Sequence, residues 1–310
     1  MAKKKSSAQV WLEYAVARSI LGFLGVLQRR AALFFSVGIA KLGYHLLGRL
    51  RKVGYRNLEI AMPELSHPER ERLVKGSFVS LGRILGEVSQ FHKATPAKLE
   101  QIIEFHIDHL LEMYAKVRHE GRGVIVVTGH IGNWELFVFS FAAIYEPMSY
   151  LARPIDNPLI EEMTVRIRSQ FGNRPINKTN SMMVASKVLR EGGILGILAD
   201  VNAHPKEGVF VPLFGVEACT PSGAALLAIR TNSLIIPMCA VWDSEKKKYV
   251  AIHGEIIEPV ITGDRKRDIT ETTARFTAEV EKFVRAYPDQ WLWIHKRWKT
   301  RPPGEKDLYK

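Results

Sequence analysis

The alternation of short apolar runs with helix-like stretches after Gly123 constrains the fold of this chain more than any other feature. Five runs rich in β-branched and aromatic residues have the texture of strands: Val124–Val127, Met148–Leu151, Ile194–Leu198, Leu234–Val241 and Tyr249–Ile257. Helical patterns lie between or after them, near residues 133–145, 158–171, 181–191, 221–231 and 268–287. This alternation predicts an α/β fold with a central, mainly parallel sheet flanked by helices. The last run follows a short polar turn, so we expect that strand to be antiparallel and the sheet to be mixed.

The first third of the chain has the texture of helices. Ser66, with a proline two positions later, forms a helix-start signal, because serine caps a helix and proline fits its first turn. A second start at Thr95 opens a helical pattern that extends to about His119. We therefore divide the chain into an N-terminal helical segment, residues 1–55, and an α/β domain, residues 56–310.

The N-terminus combines a basic head with an apolar body, as secretion signals do. Its small-x-small site, residues 15–17, lies before most of the apolar run, whereas a cleavage site should lie after it. We expect the segment to be retained. It is a marginal bilayer span, because Glu13 and Arg18 interrupt it.

A basic stripe follows in the second N-terminal segment. Lys41, His45, Arg49 and Lys52 are spaced four, four and three residues apart, which predicts one face of a helix with a broad apolar remainder. Such a helix suits an anionic membrane surface, and the alternative is a helix packed on the domain with a solvated stripe. The two N-terminal segments together favour helices that associate with a membrane.

The formal net charge of +12 predicts an anionic partner, which could be nucleic acid, anionic lipid or a phosphorylated substrate. We recognise no helix-turn-helix, zinc-finger or RNP pattern in the sequence. Cys219 and Cys239 lack metal-ligand spacing, so we predict neither a disulfide framework nor a zinc site, and a reducing compartment is the simpler assumption. The His-Glu-x-x-His pattern is also missing, and we expect no metal and no cofactor.

His130 comes directly after the first predicted strand, where a Thr-Gly-His sequence ends it. Functional groups of open α/β sheets collect at such carboxyl ends of strands. Glu135 follows five residues later, and on a continuous helix five steps rotate by about 140°, so the two side chains would not share a face. They can meet only if His130 precedes the helix.

Gly129 and Gly132 allow a tight turn at this point, and Asn133 is available as a helix cap. A helix that starts near Asn133 would bring Glu135 beneath the imidazole of His130. The carboxylate would then fix the histidine tautomer and leave the other ring nitrogen as a general base. The alternative is a histidine that satisfies a loop and a glutamate in a first helical turn. A hydrolase is less favoured, because the sequence has no Gly-x-Ser-x-Gly elbow.

The stretch GHIGNWE resembles the His-x4-acid motif of the glycerolipid and lipid A acyltransferase superfamily. Further stretches resemble segments of the late acyltransferases of lipid A biosynthesis, the lauroyl and myristoyl type: RNLEIAMPELSHPERERL, ARPIDNPLIEEMTVRIRSQFG, GILADVNAHPKEGVFVPLFGVEACTPSG and PDQWLWIHKRWKTRPPG. The resemblance covers most of residues 10–305 with its motifs in family order. A lone His-x4-Glu would be weak evidence, whereas five ordered segments are strong.

The resemblance implies an O-acyltransferase with His130 and Glu135 as catalytic residues. It would move a fatty acyl chain from a thioester of acyl carrier protein or coenzyme A to a hydroxyl of a lipid A precursor or related anionic glycolipid. It would act at the cytoplasmic face of the inner membrane, without a nucleic-acid partner. An acyltransferase for a different lipid, such as a phosphatidylinositol mannoside, stays open, as does a basic nucleic-acid-binding protein.

Arg168 matches the downstream arginine of the family, which implies a role at the oxyanion or at a phosphate of the acceptor, and a solvated helix charge is the alternative. Arg153 and Asn157 lie in the same matched segment and are predicted to bind substrate, as is Asp200. Asp200 ends a predicted strand, but the chain reads Asp-Val-Asn where the family often has Asp-x-Asp or Gln-Asp. A loop-capping aspartate is the alternative there.

Two further segments are candidates for substrate contact. Phe210, Pro212 and Phe214 are predicted to line an acyl-chain pocket, with plain core packing as the alternative. In WLWIHKRWKTR, residues 291–301, alternation would place two tryptophans and His295 on one side and a basic run after them. This segment is interpreted either as a recognition site for phosphate or sugar acid, or as a closing strand with a solvated tail.

Overall fold

A computed structural model of the chain describes residues 5–176 and 181–310. The helices in those ranges are α1 (Ser7–Val26), α2 (Arg29–Leu46), α3 (Gly48–Ala61), α4 (His67–Gln90), α5 (Pro96–Glu100), α6 (Asp108–His119), α7 (Trp134–Ile144), α8 (Pro158–Arg168), α9 (Ser181–Arg190), α10 (Gly223–Thr231) and α11 (Arg265–Ala286). The strands are β1 (Ile103–Phe105), β2 (Val124–Thr128), β3 (Ser149–Leu151), β4 (Arg174–Ile176), β5 (Ile194–Leu198), β6 (Gly208–Leu213), β7 (Val216–Pro221), β8 (Leu234–Asp243) and β9 (Lys248–His253). Short 3₁₀ turns follow α4 and α11, at Phe91–Lys93 and Pro288–Gln290.

Seven strands form the central sheet in the order β1-β9-β8-β2-β5-β3-β4. Every neighbouring pair is parallel except β8 with β9, which are antiparallel. The predicted α/β fold with a mixed, mainly parallel sheet is confirmed, including the antiparallel strand after the polar turn. That strand ends at His253, and Ile257 forms only an isolated bridge with Ile235.

The middle of the sheet is buried on both faces, which explains why its strands are continuous apolar runs. All five residues of β2 are buried. Because successive side chains of a strand point to opposite faces, Ile125 and Val127 join one hydrophobic cluster, whereas Val124 and Val126 join the other. Each such aliphatic side chain contributes roughly 1.5–3 kcal/mol when it is fully buried.

The helical first third is confirmed only in part. Helix α4 begins as predicted, with Ser66 and Glu69 forming a capping box and a proline in the first turn. The continuous helical pattern expected from Thr95 to His119 is wrong, because β1 interrupts it and pairs in parallel with β9. Ile103 and Phe105 instead pair with Tyr249 and Ala251 of β9 at the edge of the sheet.

The predicted basic stripe is also corrected by the structure. Helices α2 and α3 meet at an angle of 85°, so Lys41 and His45 lie on a different helix from Arg49 and Lys52. The chain leaves helical geometry at Leu47, with φ −94° and ψ 58°.

No single helix in residues 5–176 and 181–310 is both long and apolar enough to cross a membrane. The bent pair of α2 and α3 passes the same test of length and composition when the two are taken together.

Candidate active site

Strands β2 and β5 bring two polar residues to the same edge of the sheet. They are parallel neighbours, and Thr128 at the end of β2 pairs with Leu198 at the end of β5. His130 and Asp200 each lie two residues beyond these positions. The register of the two strands therefore places the imidazole and the carboxylate side by side.

Asp200 holds His130 at two points. Its Oδ1 lies 2.7 Å from His130 Nδ1, and its Oδ2 accepts a hydrogen bond of 2.6 Å from the backbone N–H of His130. Trp291 Nε1 donates a third bond of 2.8 Å to Oδ2. The side chain of Asp200 is buried, whereas that of His130 is 20% exposed. This geometry places the Nδ1 proton toward Asp200 and leaves Nε2 as the nitrogen available to a substrate.

The turn between β2 and α7 needs its glycines. A Cβ on Gly129 would lie 2.8 Å from Asp200 Oδ2, so a side chain there would displace the carboxylate. Gly132 has a φ of +61°, and a Cβ would lie 1.9 Å from the carbonyl oxygen of Ala240. Asn133 then caps α7, its Oδ1 accepting 3.0 Å from the N–H of Leu136. The predicted helix start near Asn133 is confirmed.

The pKa values of His130 and Asp200 are shifted by burial and by the charges and hydrogen bonds around them. Burial alone would raise the pKa of Asp200, but the charge of His130 and the hydrogen bonds from His130 and Trp291 lower it to about 2. Burial alone would lower the pKa of His130, but the charge and hydrogen bond of Asp200, followed by the charge of Glu135, raise it above its ordinary value. Asp200 thus stays ionised and stabilises a protonated imidazole.

The predicted pairing of Glu135 with His130 is wrong, because Glu135 binds Arg168 instead. Arg168 Nε donates 2.8 Å to Glu135 Oε2, and Arg168 Nη2 donates to Oε1. Glu135 sits in the first turn of α7 and faces the last residue of α8, whereas Asp200 reaches His130 from the neighbouring strand end. Burial lowers the pKa of Arg168, but the hydrogen bond and charge of Glu135 raise it overall, so the guanidinium keeps its charge.

His130 opens into a cavity of about 510 Å³. The polar part of its wall includes His130, Glu135, Arg153, Arg168, Asn202 and His295. The apolar part includes Val126, Phe137, Val138, Phe139, Tyr150, Leu151, Ile155, Ile197 and Leu198. The cavity therefore suits an amphiphile, with a reactive oxygen or carbonyl beside His130 and a hydrocarbon segment along the apolar wall.

Five residues predicted to contact substrate do not line this cavity: Asp200, which lies behind His130, and Asn157, Phe210, Pro212 and Phe214. Asn157 is buried, and its Oδ1 caps α8 by accepting from two backbone N–H groups. Its Nδ2 donates to Val10 O and Glu13 Oε2, which ties α8 to α1. Phe210, Pro212 and Phe214 belong to the β6–β7 hairpin and the turn within it.

Phe214 packs in the hydrophobic core and does not line the predicted acyl pocket. It is buried against the rings of Trp291, Trp293 and Trp298, with ring centroids 6.1–6.4 Å apart. This packing belongs to the core, and the cavity takes its apolar wall from β2, α7, β3 and β5 instead.

The C-terminal segment, residues 291–301, borders the site but does not form the predicted alternating strand. His295 lines the cavity, and its Nε2 accepts 3.1 Å from the N–H of Asn202. Arg297 belongs to the basic run that the sequence predicts either to recognise phosphate or sugar acid or to form a solvated tail. In the structure it is buried and donates to Cys219 O and to Thr220 Oγ1. Burial lowers the pKa of Arg297 to about 10.

The contacts of two tryptophans with His130 and Asp200 were not predicted. Trp134 packs edge-on against the imidazole of His130 at 4.9 Å, and Trp291 binds Asp200 from 91 positions away in the chain. A tryptophan in GHIGNWE is a local signal that sequence reasoning could have used for the first of these, whereas the second has no local signal. Among the described residues, no three His, Cys, Asp or Glu side chains come together as metal ligands.

Comparison with known proteins matches residues 2–300 to the family described as bacterial lipid A biosynthesis acyltransferase. The chain is 30% identical to a lipid A biosynthesis lauroyltransferase of Escherichia coli (strain K12), over 88% of this chain and 86% of that one. It is 26% identical to a lipid A biosynthesis palmitoleoyltransferase of the same organism, over 97% and 92%. It is 28% identical to a lipid A biosynthesis acyltransferase of Haemophilus influenzae, over 94% and 90%.

Proposed function

Because the chain belongs to the bacterial lipid A biosynthesis acyltransferases, we propose that it transfers a fatty acyl group to a hydroxyl of a lipid A precursor in the cavity beside His130. The observation that carries the choice of site is the His130–Asp200 pair at the polar part of a cavity whose remaining wall is apolar. A general base next to a hydrocarbon-lined space suits the acylation of a lipid hydroxyl.

In the proposed reaction, the hydroxyl oxygen attacks the carbonyl carbon of an acyl thioester. His130 Nε2 takes the hydroxyl proton as the new C–O bond forms, and Asp200 stabilises the resulting imidazolium through Nδ1. When the tetrahedral intermediate collapses, the C–S bond breaks and the imidazolium returns the proton to the leaving thiolate. The products are an ester and a free thiol.

Arg168 is the proposed partner of the negative charge that develops on the substrate, either the oxyanion or a phosphate of the acceptor. It lines the cavity with its guanidinium 5.7 Å from the centre of the Tyr150 ring. Glu135 is then a positioning residue, because its two bonds to Arg168 orient the guanidinium. A bidentate pair of this kind restricts the arginine more than a single contact would.

The proposed donor is a thioester of acyl carrier protein or coenzyme A, both of which present phosphate. Arg153 lines the cavity, its side chain is 82% exposed, and its ion pair with Asp156 is long at 3.6 Å. An exposed and weakly paired arginine at the rim is a suitable contact for that phosphate.

The N-terminal segment, residues 1–55, is proposed to lie on the cytoplasmic surface of the inner membrane. Helices α1 and α2 expose large apolar side chains that fall within an arc of about 140° on each helix. This set, the membrane face, comprises Trp11, Leu12, Val16, Phe23, Val26, Phe34, Phe35, Ile39, Leu42 and Leu46. Val26 is 80% exposed and Phe34 is 75% exposed, which is a poor arrangement in water and a good one in a bilayer interface.

Acyl transfer can be tested with the purified protein in detergent micelles. Mass spectrometry should detect one added acyl mass on an under-acylated, Kdo-bearing lipid A precursor when an acyl thioester of carrier protein or of coenzyme A is supplied. Comparing the two thioesters identifies the donor. Transfer to a phosphatidylinositol mannoside and none to the lipid A precursor would favour the alternative acceptor, and transfer to neither would overturn the proposal.

Membrane association can be tested by flotation with vesicles. Phe34→Asp combined with Leu46→Asp should reduce the floated fraction, because both side chains belong to the membrane face. Ile256→Asp combined with Ile261→Asp is the matched control, since these exposed isoleucines lie outside that face. Equal flotation of both double variants would contradict the proposed orientation.

A further inference from the structure

A second cavity lies at the turn between α1 and α2, apart from the site that holds His130. Its volume is about 380 Å³. Its apolar wall is formed by Val26, Leu27, Phe91, Ala94, Leu99 and Ile102. We call this space the turn cavity. None of the residues that line it also lines the cavity beside His130.

The turn cavity carries an excess of positive charge. Arg29, Lys93 and Lys98 line it together with one carboxylate, Glu87. Glu87 is buried and binds Arg29, whose Nε donates 3.0 Å to Oε2 and whose Nη2 donates to Oε1. Burial raises the pKa of Glu87 even though the hydrogen bond and charge of Arg29 oppose this. Because Glu87 is already paired with Arg29, it does not neutralise the charges of Lys93 and Lys98.

The two lysine ammonium groups bind only neutral oxygens in the part of the chain that the structure describes. Lys93 Nζ donates 2.8 Å to Leu27 O and 3.3 Å to Gln90 Oε1. Lys98 Nζ donates 3.0 Å to Lys93 O. Each ammonium has three donors, so both keep capacity for an anion that approaches from solvent.

The turn cavity is continuous with the membrane face. Val26, which lines the cavity, is the most exposed residue of that face, and Phe23 lies one helical turn before it. Phe23 in turn packs edge-on against Phe35 of α2. A molecule that enters the turn cavity can thus keep its hydrocarbon part in the bilayer beside α1 and α2.

From this combination we infer that the turn cavity binds one anionic glycerophospholipid, with its phosphate near Lys93 and Lys98 and an acyl chain along Val26, Leu99 and Ile102. The charge of the cavity and its position both favour this ligand. Among the residues that the structure describes, Lys93 and Lys98 have no carboxylate partner and attract an anion, and the adjacent membrane face lies in the bilayer, where the available anions are lipids with hydrocarbon chains. The inference rests on the proposed membrane face and is independent of the proposed reaction. Such a lipid would anchor the α1–α2 turn to the bilayer.

The test is native mass spectrometry of the full chain in detergent micelles that contain either phosphatidylglycerol or phosphatidylcholine with the same acyl chains. The wild type should retain phosphatidylglycerol in preference to phosphatidylcholine. Lys93→Gln with Lys98→Gln should lower the affinity for phosphatidylglycerol about 10- to 30-fold and reduce the retained lipid by one molecule. Lys116→Gln with Lys266→Gln is the matched control, because these exposed lysines lie outside both the turn cavity and the N-terminal segment. The control removes the same charge and should leave the retained lipid unchanged.

A second variant addresses the apolar half of the site. Ala94→Trp should fill the turn cavity from its half-buried edge without removing a charge, and it should also lose the retained lipid. Retention equal to wild type in both cavity variants would overturn the inference, as would equal retention of the two lipids by the wild type. Loss in the control pair as well would show diffuse charge attraction rather than a site. Acyl transfer, measured in parallel, distinguishes these outcomes from failure of the proposed reaction.

Discussion

Replacing Asp200 by asparagine changes the chemistry of the His130 pair while it keeps the shape of the side chain. Oδ2 of Asp200 accepts from two N–H donors, the backbone of His130 and Trp291 Nε1. An asparagine satisfies both donors only if its amide oxygen takes the Oδ2 position. Its amide nitrogen then faces His130 Nδ1 and donates to it, so the imidazole proton must sit on Nε2. That tautomer has no lone pair on Nε2 for a substrate proton.

The expected loss is large. The corresponding replacement in a Ser-His-Asp triad lowers kcat by about 10⁴, because the tautomer is inverted and the charge is lost. We expect Asp200→Asn to lower kcat about 10³- to 10⁴-fold. KM should change little, because Asp200 lies behind His130 and does not line the substrate cavity. The assay is the steady-state rate of acyl transfer in detergent, followed by mass spectrometry of the lipid.

A matched control is Asp243→Asn, which alters another aspartate at a strand end. Its Oδ1 accepts from the N–H groups of Glu245 and Lys246, a role that an asparagine also fills. Thermal unfolding of both variants verifies that they fold. If folded Asp200→Asn keeps more than about a tenth of the wild-type kcat, the barrier has risen by less than ~1.4 kcal/mol and the argument from the tautomer is refuted.

Three further predictions concern the same site. The specificity constant kcat/KM should fall as the pH drops through the pKa of His130, because His130 must be neutral to act as a base and Asp200 raises its pKa above 6.5. A pH–rate profile with its inflection below 6.5 would contradict this. Glu135→Gln should destabilise the fold by roughly 1–3 kcal/mol in a denaturant titration, because it leaves the charge of Arg168 unpaired. Adding Arg168→Gln should recover part of that loss, and strictly additive losses would argue against the Glu135–Arg168 ion pair. Gly129→Ala should lower kcat at least about tenfold, because its Cβ would stand 2.8 Å from Asp200 Oδ2, and an unchanged rate would show that the carboxylate can move without cost.

The interior of the sheet was predictable because β2, β5 and β8 are continuous apolar runs buried on both faces. The missed strands β1 and β4 are three residues long and lie at the two edges of the sheet. Each also contains a charged residue, Glu104 in β1 and Arg174 in β4, so neither forms an apolar run like the one that includes the equally short β3. For the β6–β7 hairpin the sequence predicts a pocket wall and no strands, because an apolar run does not reveal whether it faces core or cavity.

The site was predictable one residue at a time but not as a pair. His130 and Asp200 were each expected at a strand end, yet the order of strands decides which ends are neighbours, and periodicity does not contain that order. The sequence favours Glu135 as the partner because it is the nearer carboxylate along the chain. Asp200 is 70 positions away and Trp291 a further 91, so these contacts depend on the fold as a whole.

The most direct test of the proposed reaction is a single-turnover measurement of acyl transfer by the wild type and by His130→Gln, with enzyme in excess over the lipid A precursor. If His130 is the general base, the chemical step in the folded variant should slow by about 10²- to 10⁴-fold while the precursor still binds. A variant that acylates the precursor at the wild-type rate would contradict the assignment and place the base elsewhere in the cavity.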